Sequence, residues 1–209
     1  MLDAHQVVVV EKEFQVRAYL YELGLTPETL RGALGDGLAG AALCTANHPP
    51  NFRGTMMWAE TVRSLRDRLM PEGWYRDDGE NFSTVISEEG ALGIAVACGN
   101  ADTGKATGHP ATRYPKGPIA HQAVEKNALL PFDHLPPALV TSTQVTWWLL
   151  HNEANGQLRA ELSFPVGIDK AGHITAWGTR LILALIDLEP ATLPLNEEPV
   201  APDVVIESL

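Results

Sequence analysis

The sequence predicts an α+β protein in which a helical N-terminal half packs on a mainly antiparallel β-sheet, followed by an acidic, proline-containing C-terminal tail. Two patterns predict this class. Apolar residues recur at helical spacing in the first third of the chain, and later they form runs and alternations typical of strands. A third observation is Asn155-Gly156, the dipeptide preferred in the type I′ turn of a β-hairpin.

The length of 209 residues suits one domain. We expect it over residues 1–190, with helices within about 1–75 and the sheet within about 80–190. Residues 191–209 are expected to form an extended tail. The last part of the chain, from residue 187, holds six acidic residues, four prolines and no Lys or Arg, a composition that neither continues a helix nor buries much surface.

The first segment, residues 6–22, is compatible with two structures. Residues 7–10 are four valines, and residues 14–20 alternate apolar and polar side chains, which is strand spacing. The segment also tolerates a helix. We favour the helix because Gly24 follows as a stop and Thr26-Pro27 is a typical helix start.

Two further helices are predicted before residue 75. The first spans about 27–45, and its small residues allow a neighbouring backbone to approach closely. The second begins at residue 54 or 55 and ends at residue 69, because Pro71 and Gly73 follow as stops. Arg63 and Asp67 can pair on its exposed face. Its apolar stripe consists of Trp58, Val62, Leu65 and Leu69.

Strand patterns follow. Residues 82–87 and 91–98 are predicted strands joined by a turn at 88–90, and the second is apolar on both faces, which places it centrally in the sheet. A long loop over 99–121 and a helix over about 119–129 come next. The last predicted strands are 173–177 and 181–186.

The two-residue turn at Asn155-Gly156 fixes the register of the hairpin around it. One face, which includes Trp147, His151 and Phe164, is almost entirely apolar and is the predicted core face. Pro165 cannot donate to a ladder, so it predicts an edge or a bulge. The expected pairs are Ala154 with Gln157, Asn152 with Arg159, Leu150 with Glu161, and Trp148 with Ser163.

The charge of −11 argues against direct binding to DNA or RNA and favours a basic protein partner. No apolar run has the length of a membrane span, and the N-terminus lacks the features of an export signal. We therefore expect a cytoplasmic protein whose two cysteines are reduced. No residue spacing predicts a metal or a cofactor, and the oligomeric state is left open.

Two phosphate-binding motifs are matched but rejected. GxGxxG at residues 35–40 lies inside a predicted helix, so we interpret its small residues as helix packing. GxxxxGK at residues 99–105 follows a predicted strand. However, Ala106 stands where a P-loop has Ser or Thr, and residues 107–110 cannot start the required helix.

The loop over 99–121 carries positive charge in an acidic chain, and long loops in compact domains are either functional or disordered. One hypothesis is a pocket for a phosphate ester or another anion. The alternative is a surface loop whose basic residues pair with the acidic body. The candidate ligand-binding residues are Asn100, Lys105, His109, Arg113, Tyr114, Lys116 and His121.

The outward face of the hairpin is a candidate interaction surface, since Trp and Arg are frequent anchors at interfaces. The alternative is that helices of the N-terminal half cover this face. Its candidate residues are Trp148, Asn152, Arg159 and Glu161.

No catalytic arrangement of residues is evident, so we expect a cytosolic binding or regulatory protein without catalysis. It would act through protein contacts, for instance on a basic nucleic-acid-binding protein. The alternative is an enzyme or ligand-binding protein for a phosphorylated or anionic small molecule. In that hypothesis the 99–121 loop binds the anion, and His109 or His121 serves as acid or base. A weaker alternative is a metal-dependent nuclease built from Asp77, Asp78, Glu80, Glu161 and Asp187.

Overall fold

The computed structural model describes residues 7–129, 144–154 and 157–187. These residues form four helices and seven strands, so the α+β class is confirmed. The helices are α1 (Glu13–Glu22), α2 (Pro27–Ala42), α3 (Phe52–Leu69) and α4 (Pro118–Ala128). The strands are β1 (Val8–Val10), β2 (Tyr75–Asp77), β3 (Thr84–Ile86), β4 (Leu92–Cys98), β5 (Val145–Ala154), β6 (Gln157–Ile168) and β7 (Ile174–Asp187).

The seven strands form one mixed sheet in the order β1-β7-β6-β5-β4-β3-β2. Two neighbouring pairs are parallel, β1 with β7 and β4 with β5, and the other four are antiparallel. The expected mainly antiparallel character is therefore not confirmed. β4 and β5 run in parallel because the chain between them passes through the loop 99–117 and α4 before it returns to the sheet.

The sheet has buried residues on both faces. On one face, Trp147 and Phe164 share a core with α1, α2 and α3, and their ring centres lie 5.3 Å apart. On the other face, Trp148 shares a second core with α4. The predicted inward pairing of Trp147 and Phe164 is thus confirmed. Helices α1, α2 and α3 cover only that face.

The hairpin pairs in the expected register, from Trp148 with Ser163 to Ala154 with Gln157. The turn residues Asn155 and Gly156 lie outside the described ranges. The register shifts at Pro165, as expected for a residue that cannot donate to the ladder.

Helices α2 and α3 cross closely at Gly37. A Cβ atom at this position would lie 2.0 Å from Thr61 Oγ1 and 2.8 Å from the carbonyl oxygen of Met57. The interpretation as a helix-packing residue is confirmed for Gly37 and wrong for Gly35, which has nothing within 4 Å of its Cβ position. The N-cap of α2 is also as predicted, since the backbone N–H of Thr29 donates to Thr26 Oγ1.

Several predicted boundaries were wrong. Residues 7–22 form both a short strand and a helix, β1 and α1, and β2 was missed. The two predicted C-terminal strands are one strand, β7. In α3 the buried face includes Met57, whereas Trp58 is 38% exposed.

None of the four helices in the described ranges combines the length and hydropathy that crossing a bilayer requires. The predicted tail over 191–209 lies outside the described residues.

Candidate functional site

The long loop, residues 99–117, lies against one face of the sheet and is bonded to it along its length. Asn152 Nδ2 donates to the carbonyl oxygen of Gly99 at 3.1 Å. Trp177 Nε1 donates to the carbonyl oxygen of Pro110 at 2.7 Å. The backbone N–H of Lys116 donates to Gly172 at 2.8 Å. The loop therefore forms a cover over β5, β6 and β7.

A buried ion pair lies under this cover. Glu161 and Arg180 have side chains 0% and 2% exposed, and Arg180 Nη2 lies 2.6 Å from Glu161 Oε2. Arg180 also donates to the carbonyl oxygens of Gly108 and Lys105 at 3.0 and 2.9 Å. The backbone N–H of Gly104 donates to Glu161 Oε2 at 2.8 Å. Both charges thus bind the loop to the sheet.

The structure supports the rejection of both phosphate-binding motifs. In the GxxxxGK segment, the N–H of Gly104 is already bonded to a carboxylate, and the following residues form turns rather than a helix. The GxGxxG segment lies within α2.

The candidate anion-binding residues do not present one shared binding surface. Lys105 pairs with Asp102 at 3.3 Å, and the exposed guanidinium of Arg113 lies 5.8 Å from the ring centre of Tyr114. Asn100 Nδ2 donates to the backbone carbonyl of His109. Lys116 is partly buried, and burial lowers its pKa. His121 Nε2 lies close to Gly172.

The candidate interaction surface on the hairpin is covered. Trp148, Glu161 and Asn152 are buried, and only Arg159 is partly exposed. The expected cover was the N-terminal helices, but α4 and the loop 99–117 provide it. The physical reason is that the crossover between the parallel strands β4 and β5 must lie on one face of the sheet, and here it occupies this face.

The carboxylates of the nuclease hypothesis are engaged elsewhere. Glu161 binds Arg180 within the core, and Asp78 pairs with Arg66 at 2.7 Å. No group of three or more metal-ligating side chains occurs within the described parts of the chain.

A different site emerges at the edge of the molecule, where three turns converge. They are the turn after α1, the turn that ends α3, and the turn between β3 and β4. Together they line a groove of about 590 Å³, a volume in the range of ligand-binding clefts. We call it the acidic groove. Its lining residues are Tyr21, Glu22, Leu23, Gly24, Glu72, Trp74, Ser87, Glu88, Glu89, Ala91 and Leu92.

Each wall of the groove is formed by a backbone turn. The turn after α1 contains Gly24, whose φ of 70° suits glycine, and the N–H of Leu25 donates to the carbonyl oxygen of Leu20. Gly73, with φ 91°, turns the chain so that Trp74 enters the core. The β3–β4 turn closes through a bond from Gly90 N–H to the carbonyl oxygen of Ser87 at 2.8 Å.

The floor of the groove is aromatic and its rim is anionic. Trp74 is 7% exposed, whereas Tyr21 is 79% exposed. Glu22, Glu72, Glu88 and Glu89 are all exposed, and no ion pair of the described residues includes any of them. The lining contains no Lys, Arg or His. The groove therefore offers four free carboxylates beside an aromatic wall.

Sequence reasoning missed this site, although it recognised the turn at 88–90 and the stop at Gly73. The four carboxylates come from three separate stretches of the chain. They come together because the turn after α1 lies beside Trp74, where the Cβ position of Gly24 is 3.9 Å from Trp74 Cζ2.

A comparison of the chain with models of protein families, with curated proteins and with solved structures finds no match. The interpretation of the groove therefore depends on its own geometry and charge.

Proposed function

We propose that this chain is a non-catalytic binding protein whose partner is a basic protein, and that the acidic groove receives Lys or Arg side chains of that partner. The observation that carries the proposal is the group of four carboxylates without ion pairs around the groove. A basic nucleic-acid-binding protein is one partner of this chemistry. We further propose a cytoplasmic location, which the two free cysteines support.

The aromatic residues add selectivity for cations. A guanidinium or ammonium group over an aromatic face gains about 0.5–1 kcal/mol at an exposed site, and Tyr21 and Trp74 border the groove. Tyr75 is 46% exposed, and its hydroxyl oxygen lies 3.4 Å from the Cβ position of Gly90. An incoming cation would meet carboxylates and rings together.

The surrounding charge favours the same partner. The whole chain carries −11, so its long-range field speeds the approach of a basic protein. Each exposed ion pair contributes only about 0.2–1 kcal/mol. Useful affinity then requires several carboxylates to act at once, which the groove provides.

The test uses a labelled oligoarginine peptide and fluorescence anisotropy at low ionic strength. The double substitution Glu88→Gln/Glu89→Gln removes two groove carboxylates. It should weaken binding about tenfold and reduce its salt dependence, since two ion pairs of ordinary strength are lost.

The matched control is Glu80→Gln/Glu125→Gln, which removes the same charge from exposed positions outside the groove lining. It should keep nearly the full affinity. Equal loss in the two double variants would show attraction to net charge alone and would contradict a groove site. No binding of the peptide at low salt would contradict the proposal outright.

The anion-binding alternative ranks second because Lys105 is paired with Asp102. Arg113 remains exposed beside Tyr114. A phosphate-dependent rise in the melting temperature that is lost in Arg113→Ala would favour that alternative.

A further inference from the structure

A small pocket is lined by helix α4 on one side and by residues of β2, β3 and β5 on the other. Its volume is about 150 Å³, which is smaller than the roughly 300–1,000 Å³ of pockets for drug-sized ligands. We call it the α4 pocket, and it shares no lining residue with the acidic groove. A pocket of this size suits only a small molecule. Its lining residues are Asp77, Phe82, Thr84, Ile119, Gln122, Ala123, Lys126, Gln144 and Thr146.

Helix α4 forms one wall of the pocket and is fixed to the sheet beside it. Ile119, Ala123 and Lys126 recur at helical spacing and share one face of α4. Asn127 Nδ2 donates to the carbonyl oxygen of Thr146 at 2.7 Å, and the N–H of Thr146 donates to Asn127 Oδ1 at 3.0 Å. These two bonds hold the last turn of the helix, and with it Lys126, at a fixed place over β5.

The floor of the α4 pocket carries two buried hydroxyl groups. Thr84 and Thr146 are 4% and 5% exposed, and within the described residues neither hydroxyl has a hydrogen-bond partner. Buried polar groups without partners are uncommon and call for an explanation. Gly93 is the register partner of Thr146, and a Cβ atom there would lie 3.0 Å from Gln144 Nε2 and 3.5 Å from Thr146 Oγ1. The absent side chain leaves room for a ligand beside the hydroxyls.

Two opposite charges stand at the mouth of the pocket. Asp77 and Lys126 are both exposed, and no ion pair of the described residues includes either of them. Asp77 Oδ1 accepts the N–H of Gly79 at 2.9 Å, which orients this carboxylate. The lining contains no other Asp or Glu, and no other Lys, Arg or His. The α4 pocket is therefore neutral as a whole but has a negative and a positive side.

We propose that the α4 pocket binds a small α-amino acid, such as glycine, alanine or serine, as its zwitterion. The ammonium group of the ligand pairs with Asp77 and its carboxylate pairs with Lys126. The hydroxyls of Thr84 and Thr146 each donate or accept one of the remaining hydrogen bonds. Phe82 borders the space for a short side chain, and the small volume excludes large ones.

Ligands with a single charge fit this arrangement less well. An inorganic phosphate at Lys126 would face the carboxylate of Asp77, and a simple amine at Asp77 would face the ammonium group of Lys126. Like charges at close range repel each other. The two charges together thus select a ligand that carries both signs.

The test is an NMR titration of the isotope-labelled full chain with L-alanine. We expect saturable shifts of the backbone amides of Thr84, Gly93 and Thr146. Propionate lacks the ammonium group of alanine and ethylamine lacks its carboxylate, so each should bind at least about fivefold more weakly. L-Tryptophan should not bind, because it is too large. The absence of saturable shifts with glycine, alanine and serine would overturn the proposal, and so would equal affinities for alanine, propionate and ethylamine.

Substitutions at the mouth test the two charges separately. Asp77→Asn and Lys126→Met should each weaken alanine binding at least about fivefold, and Lys126→Arg should retain most of the affinity. Asp67→Asn and Lys170→Met make the same changes at exposed positions outside the pocket lining and should bind alanine as the native chain does. Equal losses in these variants and their controls would contradict the assigned contacts.

Two substitutions in the floor leave every charge in place. Thr146→Val removes one hydroxyl with little change of shape and should weaken alanine binding about two- to tenfold. Gly93→Ala should abolish the binding, because its methyl group occupies the floor. Native affinity in both variants would contradict a site in this pocket. If circular dichroism shows that a floor variant does not fold, the exposed positions Asp77 and Lys126 decide.

Discussion

Burial of His151 makes the folding stability of the chain sensitive to acid. The pKa of this imidazole is about 4 in the folded state, against an ordinary value near 6.5. Between these values the unfolded chain binds the extra proton, so stability rises with pH. The contribution is fully present above about pH 6.5 and is lost as the pH falls through that window toward 4. It amounts to about 3 kcal/mol at most.

Urea unfolding of the native chain and of His151→Gln, at neutral pH and near pH 4.5, measures this effect. The variant should lose less stability on acidification than the native chain does. His109→Gln replaces an exposed histidine and should behave like the native chain. An identical pH dependence in native chain and His151→Gln would show that another group is responsible.

The predicted division of the hairpin into a buried face and an exposed face was only half right. The alternation around Trp147 and Trp148 correctly separated the two faces of the hairpin. It could not show that both faces are covered, because polar residues such as Glu161 and Asn152 usually mark a wet face. Here they bond to the loop instead.

At the scale of elements, the α2–α3 contact provides a sharp test of packing. Gly37→Ala would place a methyl group against Thr61 Oγ1 and the Met57 carbonyl. Since a backbone atom cannot simply rotate away, the helices must separate. We expect a loss of about 1–3 kcal/mol in the free energy of unfolding, as for overpacked cores.

Gly35→Ala in the same helix is the matched control, because nothing lies within 4 Å of its Cβ position. It should stabilise the chain by up to about 1 kcal/mol through helix propensity. Chemical denaturation measures both. A Gly37→Ala chain as stable as Gly35→Ala would refute the close crossing.

The helices were largely predictable because caps, stops and apolar periodicity are local signals. Thr26, Gly24 and Gly73 mark boundaries that the structure contains. The short strands β1 and β2 were not predictable, since three residues carry too little pattern and each depends on a distant partner. The interruption predicted between strands 173–177 and 181–186 was wrong, since β7 continues past Trp177. The indole of Trp177 bonds to the loop.

At the scale of the whole molecule, the Glu161–Arg180 pair joins the loop cover to the sheet. Glu161→Gln would leave the Arg180 guanidinium buried without its counter-charge. We expect a loss of about 3–5 kcal/mol in the free energy of unfolding, together with faster amide exchange at Gly104, whose N–H bonds to this carboxylate.

Asp67→Asn is the control for this prediction, since it breaks an ion pair with Arg63 that is exposed on α3. It should cost no more than about 0.5 kcal/mol. Denaturant titration and hydrogen exchange measure both variants. A Glu161→Gln chain with native stability and native exchange at Gly104 would show that the pair does not hold the loop.

The acidic groove shows what composition can and cannot predict. A charge of −11 directs attention to basic partners, but it does not locate a site. The groove exists because the turn after α1 lies beside Trp74, with the Cβ position of Gly24 3.9 Å from Trp74 Cζ2, and the β3–β4 turn lines the same space. Tertiary contacts of this kind are not encoded in any local window of the chain.

Trp147 and Trp148 are consecutive in β5, yet they belong to the two separate cores. Trp147 lies edge-on to Tyr19 and tilted against Phe164, whereas Trp148 lies near Phe82. Adjacent indoles thus act as optical reporters for opposite sides of the same ribbon. Replacing either one with phenylalanine removes its contribution from the summed emission of the five tryptophans, so the difference from the native signal reports the melting of one layer.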